Sequence, residues 1–143
     1  MSHSLTKIWI HAVWSTKERC PYMSDEILKK ITQHIKKKII EQKCAVKAIN
    51  GMEDHIHCLF LLNMNISLKE IMMNVKGETS HWINESGFYK EKFEWQAGYG
   101  AFSVSESVLH KIENYIINQK GHHKEMEFKK EWELLIGKHH LGV

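Results

Sequence analysis

Apolar residues along this chain keep two rhythms, one of alternating or continuous apolar residues and one of apolar residues every three or four positions. Residues 7–14 (Lys-Ile-Trp-Ile-His-Ala-Val-Trp) are aromatic and β-branched and predict a first strand. Residues 15–21 are polar, end in the single proline and read as a loop. Ser24 is placed as the N-cap of a helix, with Asp25 and Glu26 in its first turn. Ile27, Leu28, Ile31, Ile35, Ile39 and Ile40 then make one apolar stripe. Residues 43–49 predict a second, short strand, Asn50-Gly51 a tight turn, and residues 54–62 a third strand. Ser67 with Glu70 forms a capping-box pattern for a second helix. That helix carries Leu68, Ile71, Met72, Val75 and Trp82, encloses Gly77 and ends near Gly87. After an aromatic, charged connection, residues 96–104 predict a fourth strand in which Gly98 and Gly100 flank Tyr99, a sign of a bulge or a close approach. Ser105 caps a third helix with Val108, Leu109, Ile112 and Ile116 on its stripe and Gly121 at its end. Phe128, Trp132, Leu134, Leu135 and Ile136 suggest a further amphipathic helix.

The order β-α-β-β-α-β-α-α predicts an α+β fold, the ferredoxin-like split βαβ. It consists of an antiparallel sheet covered by helices on one face, with extra C-terminal helices. No repeat, linker or low-complexity stretch interrupts it, so residues 1–143 are expected to form a single domain.

Composition narrows the class without naming a function. At 143 residues with 43% hydrophobic and 26% charged content, the chain can bury a real core. No apolar run approaches the roughly 20 residues of a membrane span, and residues 1–7 have no signal-peptide character, so no membrane partner is expected. Cys20, Cys44 and Cys58 are odd in number and show no paired spacing, which fits a reducing cytoplasm better than a disulfide scaffold. A net charge of +3 is compatible with nucleic acid. Lys29, Lys30 and Lys36 to Lys38 occupy the polar side of the first helix, either as a solvated face or as a phosphate-tracking one.

The chemistry concentrates in His55-Ile56-His57, at the start of the third strand. Residues i and i+2 of a strand share a face, so both imidazoles project together while Ile56 points the other way, into a core. Two imidazoles are half of a metal site, or simply two polar residues at a strand end. On the third helix Tyr115 and Gln119 are four apart and stack on one face, again readable as a core-edge tyrosine with a surface amide. Together the four suggest more. Two imidazoles and an amide oxygen can hold a divalent cation with open positions, and a phenol beside a cation ionises more readily and can attack phosphorus. His11, on the first strand, could face the pair across the sheet, though a satisfied strand histidine is the plainer reading. His122 and His123 are weak competitors as ligands.

These residues resemble a known family. His55-Ile56-His57 matches the His-hydrophobic-His (HUH) motif, and residues 115–119 resemble the nucleophile helix of the single-tyrosine HUH transposases. Residues 95–105 are similar to the strand and turn before that helix. The resemblance implies a transposase of a small bacterial insertion sequence, which cuts and rejoins single-stranded DNA at hairpin-bearing ends. It also implies Tyr115 as nucleophile forming a 5′-phosphotyrosine, and His55, His57 and Gln119 as ligands of Mg²⁺, with Mn²⁺ able to substitute. It implies a homodimer with joined sheets, whose composite sites take the histidines from one subunit and the tyrosine helix from the other. Two other readings stand beside it. One is a non-catalytic module that stacks single-stranded bases on aromatics such as Trp9, Trp14 or Tyr99. The other is a domesticated relative that processes hairpins for its host.

Overall fold

The computed structural model describes residues 4–119 together with Lys130 and Glu133. The expectations placed on Gly121, His122, His123 and the tail stripe of Phe128, Trp132, Leu134, Leu135 and Ile136 lie outside the described residues. Four strands, β1 (Trp9–Ser15), β2 (Ala45–Met52), β3 (His55–Leu61) and β4 (Gly100–Val104), alternate with the helices α1 (Asp25–Glu41) and α2 (Leu68–Ser86), and α3 (Leu109–Ile117) follows. The sheet order is β2-β3-β1-β4 with every neighbour antiparallel. This is the split βαβ arrangement that the apolar rhythms predict.

Helices α1 and α2 start where a polar cap dictates. Ser24 accepts from the Ile27 amide at 3.5 Å, and Ser67 accepts from the Glu70 amide at 3.1 Å. The expected cap of the third helix, Ser105, instead caps a short 3₁₀ turn over Glu106–Val108, and α3 begins after it with no side-chain cap of its own. Gly87 ends α2 in the left-handed conformation that glycine adopts without steric cost.

Strand alternation sorts the side chains into two cores. Ile10, Ala12 and Trp14 of β1 and Ile56, Cys58 and Phe60 of β3 point toward α1 and α2. Val13 and Leu59 point the other way, toward Phe102 and Val104 of β4 and Leu109, Ile112, Tyr115 and Ile116 of α3. The extra helix therefore covers the second face of the sheet, packed on β2 and β3. Among the described residues no helix is long and apolar enough to cross a membrane.

One turn moved. Asn50 and Gly51 lie inside β2, paired with His57 and Ile56, and the reversal falls at Glu53-Asp54. Gly51 is needed for proximity rather than for a turn, because a Cβ there would run into the backbone oxygen of His55. The glycine thus lets β2 close tightly on the very residue that opens the histidine pair. The fourth strand is also shorter than expected, since residues 96–99 leave the ladder before Gly100.

Candidate active site

His55 and His57 sit on β3 with both rings turned to the α3 side and fully buried, while Ile56 is buried in the opposite core. Their ring centroids are 5.1 Å apart. The register places Ser15 across from His55 and Val13 across from His57. The last turn of α3 delivers Tyr115, whose ring stands 5.6 Å from His57 and 6.3 Å from His11. All four residues expected at the site come together within one chain, Gln119 included.

Gln119 arrives differently from the expected continuous helix. Asn118 leaves helical geometry at φ −95°, ψ 26°, so Gln119 follows a break rather than another regular turn. Its amide Nε2 donates to the Tyr115 carbonyl at 3.2 Å, which aims Oε1 at His55 Nε2, 3.4 Å away. The other nitrogen of His55, Nδ1, lies 2.7 Å from Asp54 Oδ1. A proton held on Nδ1 by that carboxylate leaves a lone pair on Nε2, facing the amide oxygen. Two acceptors directed at one space are what a cation between them would satisfy, and a carboxylate behind a ligating imidazole is the usual support for such a ligand.

His57 has a matching support. Its Nδ1 lies 2.9 Å from His11 Nε2, so coordination by His57 would run through Nε2. His11 is fully buried, two residues along β1 from the direct partner of His57, with its ring 6.2 Å from Phe102. His11 thus faces the pair across the sheet, and it is also the satisfied strand histidine of the plainer reading, with His57 as its partner. Neither Asp54 nor its hold on His55 was foreseen, and its place immediately before the His-x-His run was the available signal.

Among the described residues no three His, Cys, Asp or Glu side chains converge as a metal-holding group. The donor set is thus two imidazoles and one amide oxygen. These are donor types that a divalent cation accepts when the imidazole nitrogens facing it carry no proton.

Comparison with known proteins gives this geometry its class. A family model described as IS200-like transposase matches residues 4–119. The chain belongs to that family of DNA transposases. Among solved structures, a Deinococcus radiodurans R1 protein assigned as a transposase superposes with a TM-score of 0.69 at 21% identity, covering 83% of this chain and 95% of that one. A REP-associated tyrosine transposase bound to a REP hairpin superposes with a TM-score of 0.58 at 17% identity, covering 86% and 74%. Both likenesses are of fold. No curated protein matches the chain significantly.

Proposed function

We propose that this protein cleaves and rejoins single-stranded DNA at hairpin-bearing ends through a phosphotyrosine on Tyr115. The observation that carries the proposal is the convergence of Tyr115, His55, His57 and Gln119 in one buried cluster. The hairpin held by the structurally similar REP-associated transposase supports the same class of substrate.

In the proposed step the Tyr115 phenolate oxygen attacks the scissile phosphorus and the bond to the 3′ oxygen breaks. That oxygen takes up a proton and leaves as a 3′-hydroxyl, while the 5′ phosphate stays on the tyrosine as a phosphodiester. Attack by another 3′-hydroxyl reverses the step, joins the strand and frees the phenol. His55 Nε2, His57 Nε2 and Gln119 Oε1 would hold Mg²⁺, or Mn²⁺, which suits imidazole better, and the bound cation would draw charge from the phosphate oxygens. Asp54 keeps the His55 proton on Nδ1, and His11 holds the ring of His57. The burial of His11, His55, His57 and Gln119 would keep water from competing with the incoming hydroxyl.

The resemblance places the tyrosine helix in a partner's site. In this chain Tyr115 packs on its own histidines, which favours a site complete in one subunit, and the homodimer with exchanged helices is the second reading. Mixing Tyr115→Phe with His57→Ala separates the two. An exchanged dimer gives each heterodimer one site with both defects and one intact site, so cleavage returns. A site complete in one chain leaves every site with a defect, so mixing restores nothing once subunit exchange is proved by mass spectrometry of tagged chains. The experiment that tests the chemistry is incubation with labelled single-stranded DNA from the gene's flanks. A denaturation-resistant adduct is expected with the wild type and none with Tyr115→Phe, and cutting of the perfect duplex as fast as of the folded single strand would overturn the reading.

A further inference from the structure

Beside the site lies a cleft of about 450 Å³, formed where β4 leaves β1. Val13, Trp14, Ser15, residues 96–100 and a pair of opposite charges, Arg19 and Glu133, line it. Gly100 pairs with Val13, and the Gln96 amide donates to the Ser15 carbonyl at 2.9 Å. Between those two anchor points β1 advances by two residues and the opposite chain by four, so residues 97–99 bow outward. Val13 and Ser15 are the cross-strand partners of His57 and His55. The cleft therefore begins one strand spacing, about 5 Å, from the histidine pair.

Three unusual features hold this loop in place. Gly98 bends it at φ 86°, a conformation open to glycine. Lys76 of α2 sends its ammonium to the carbonyls of Gln96 and Gly98, at 2.9 and 2.6 Å, and burial pushes its pKa down. Opposite, Glu18 and Arg19 both take positive φ, of 54° and 56°, in a turn fastened by the Gln96 side chain to the Glu18 amide at 2.9 Å. Two consecutive non-glycine residues in that region are costly, and such strain is retained where the surroundings enforce it, commonly at binding sites. The enforced turn puts Arg19 at the cleft.

Of the aromatics that could stack a base, Trp14 is buried in the helix-covered core and Trp9 is tied to Glu106 at 2.9 Å. Tyr99 is 39% exposed and lines the cleft.

We propose that this cleft binds one unpaired nucleobase of the single strand next to the scissile phosphate, stacked on Tyr99, with Arg19 as the cation for its backbone or base edge. The proposal rests on the single-stranded DNA reading of the site and adds where sequence near the cut is read.

The test is an abasic scan. Single-stranded oligonucleotides from the gene's flanks, each lacking one base near the cut, are titrated against wild type, Tyr99→Ala and Tyr99→Phe, with adduct formation followed in parallel. One position is expected to weaken wild-type binding by about tenfold or more when its base is removed, the range of a lost base–aromatic stack. Tyr99→Ala should bind the intact oligonucleotide as weakly as wild type binds that abasic one, with no further loss on base removal, while Tyr99→Phe behaves as wild type. Arg19→Ala should weaken binding at low salt more than at high salt. If wild type binds and forms adduct but Tyr99→Ala keeps the same abasic penalties, the cleft assignment is overturned and the site reading stands. If wild type neither binds nor reacts, both fall.

Discussion

The two faces of the sheet are built from the same strands by the same alternation, yet they do different work. The face under α1 and α2 is closed by apolar side chains such as Ile10, Trp14, Ile56 and Phe60. The face under α3 buries His11, His55, His57 and Tyr115 among Leu59, Phe102 and Ile112. Burying imidazoles costs free energy unless their nitrogens are engaged. Here the engagement is explicit, Asp54 on His55 and His11 on His57. The apolar face secures the strands, so the other face can hold polar groups at fixed spacing.

Substitutions should separate the faces. Phe60→Ala empties a fully buried ring from the apolar face and should cost about 3–5 kcal/mol of stability, seen as a lower urea midpoint. That is a large part of the roughly 5–15 kcal/mol that holds a domain together. Tyr115→Phe changes one hydroxyl on the other face and should cost at most about 1.5 kcal/mol, yet abolish adduct formation. A stable Phe60→Ala, or a cleaving Tyr115→Phe, would erase the contrast. Next in size, His55→Ala or His57→Ala should remove cleavage and the thermal stabilisation conferred by added Mn²⁺, while hairpin binding largely survives, measured by calorimetry and band shift. If both variants cleave normally, the site lies elsewhere.

A support should matter less than a ligand. Asp54 touches His55 and would reach the cation only through it. Asp54→Asn should lower Mn²⁺ affinity by about 10- to 100-fold, the usual range for a carboxylate behind a ligating histidine. High Mn²⁺ concentration should restore cleavage to Asp54→Asn but not to His55→Ala. Equal affinity in Asp54→Asn and wild type would show that the carboxylate does not orient the ring.

The sequence spoke clearly about this face where one local rule decided the outcome. The opposite directions of Ile56 and of His55 with His57 follow from strand alternation alone, and helix caps at Ser24 and Ser67 follow from side-chain chemistry. Where distant segments decide, it was silent or misleading. Asn50-Gly51 looks like a turn because its composition is that of one, but the glycine is required by the approach of His55 from the next strand. Spacing alone put Gln119 on a continuing helix, whereas the break at Asn118 and the bond to the Tyr115 carbonyl aim its amide. His11 reads as an ordinary strand histidine until the register sets it diagonally from His57.

The smallest expected effect concerns a histidine on the apolar side. His34 of α1 stacks on Trp82 of α2, ring centroids 4.1 Å apart and nearly parallel, and its Nε2 is buried with no hydrogen-bond partner. Burial pushes its pKa below the ordinary 6.5, and Lys38 and Lys37 push the same way, against a weaker upward pull from Glu41 and Glu78. A histidine whose folded pKa is depressed favours the native state fully above its unfolded value. That contribution is lost as pH falls from 6.5 toward the folded value, because the unfolded chain takes up the proton first. His34→Phe keeps an aromatic ring against Trp82 and removes the titration. Below pH 6.5 the wild type should therefore lose melting temperature more steeply than His34→Phe, with the two slopes equal above it. Parallel curves throughout would mean that His34 binds its proton equally in the folded and unfolded chains. A matching difference in adduct formation on the other face, measured at a temperature where both proteins are fully folded, would mean that the two faces are coupled. The comparison predicts that difference to be absent, because His34 lies between α1 and α2, across the sheet from the cluster under α3.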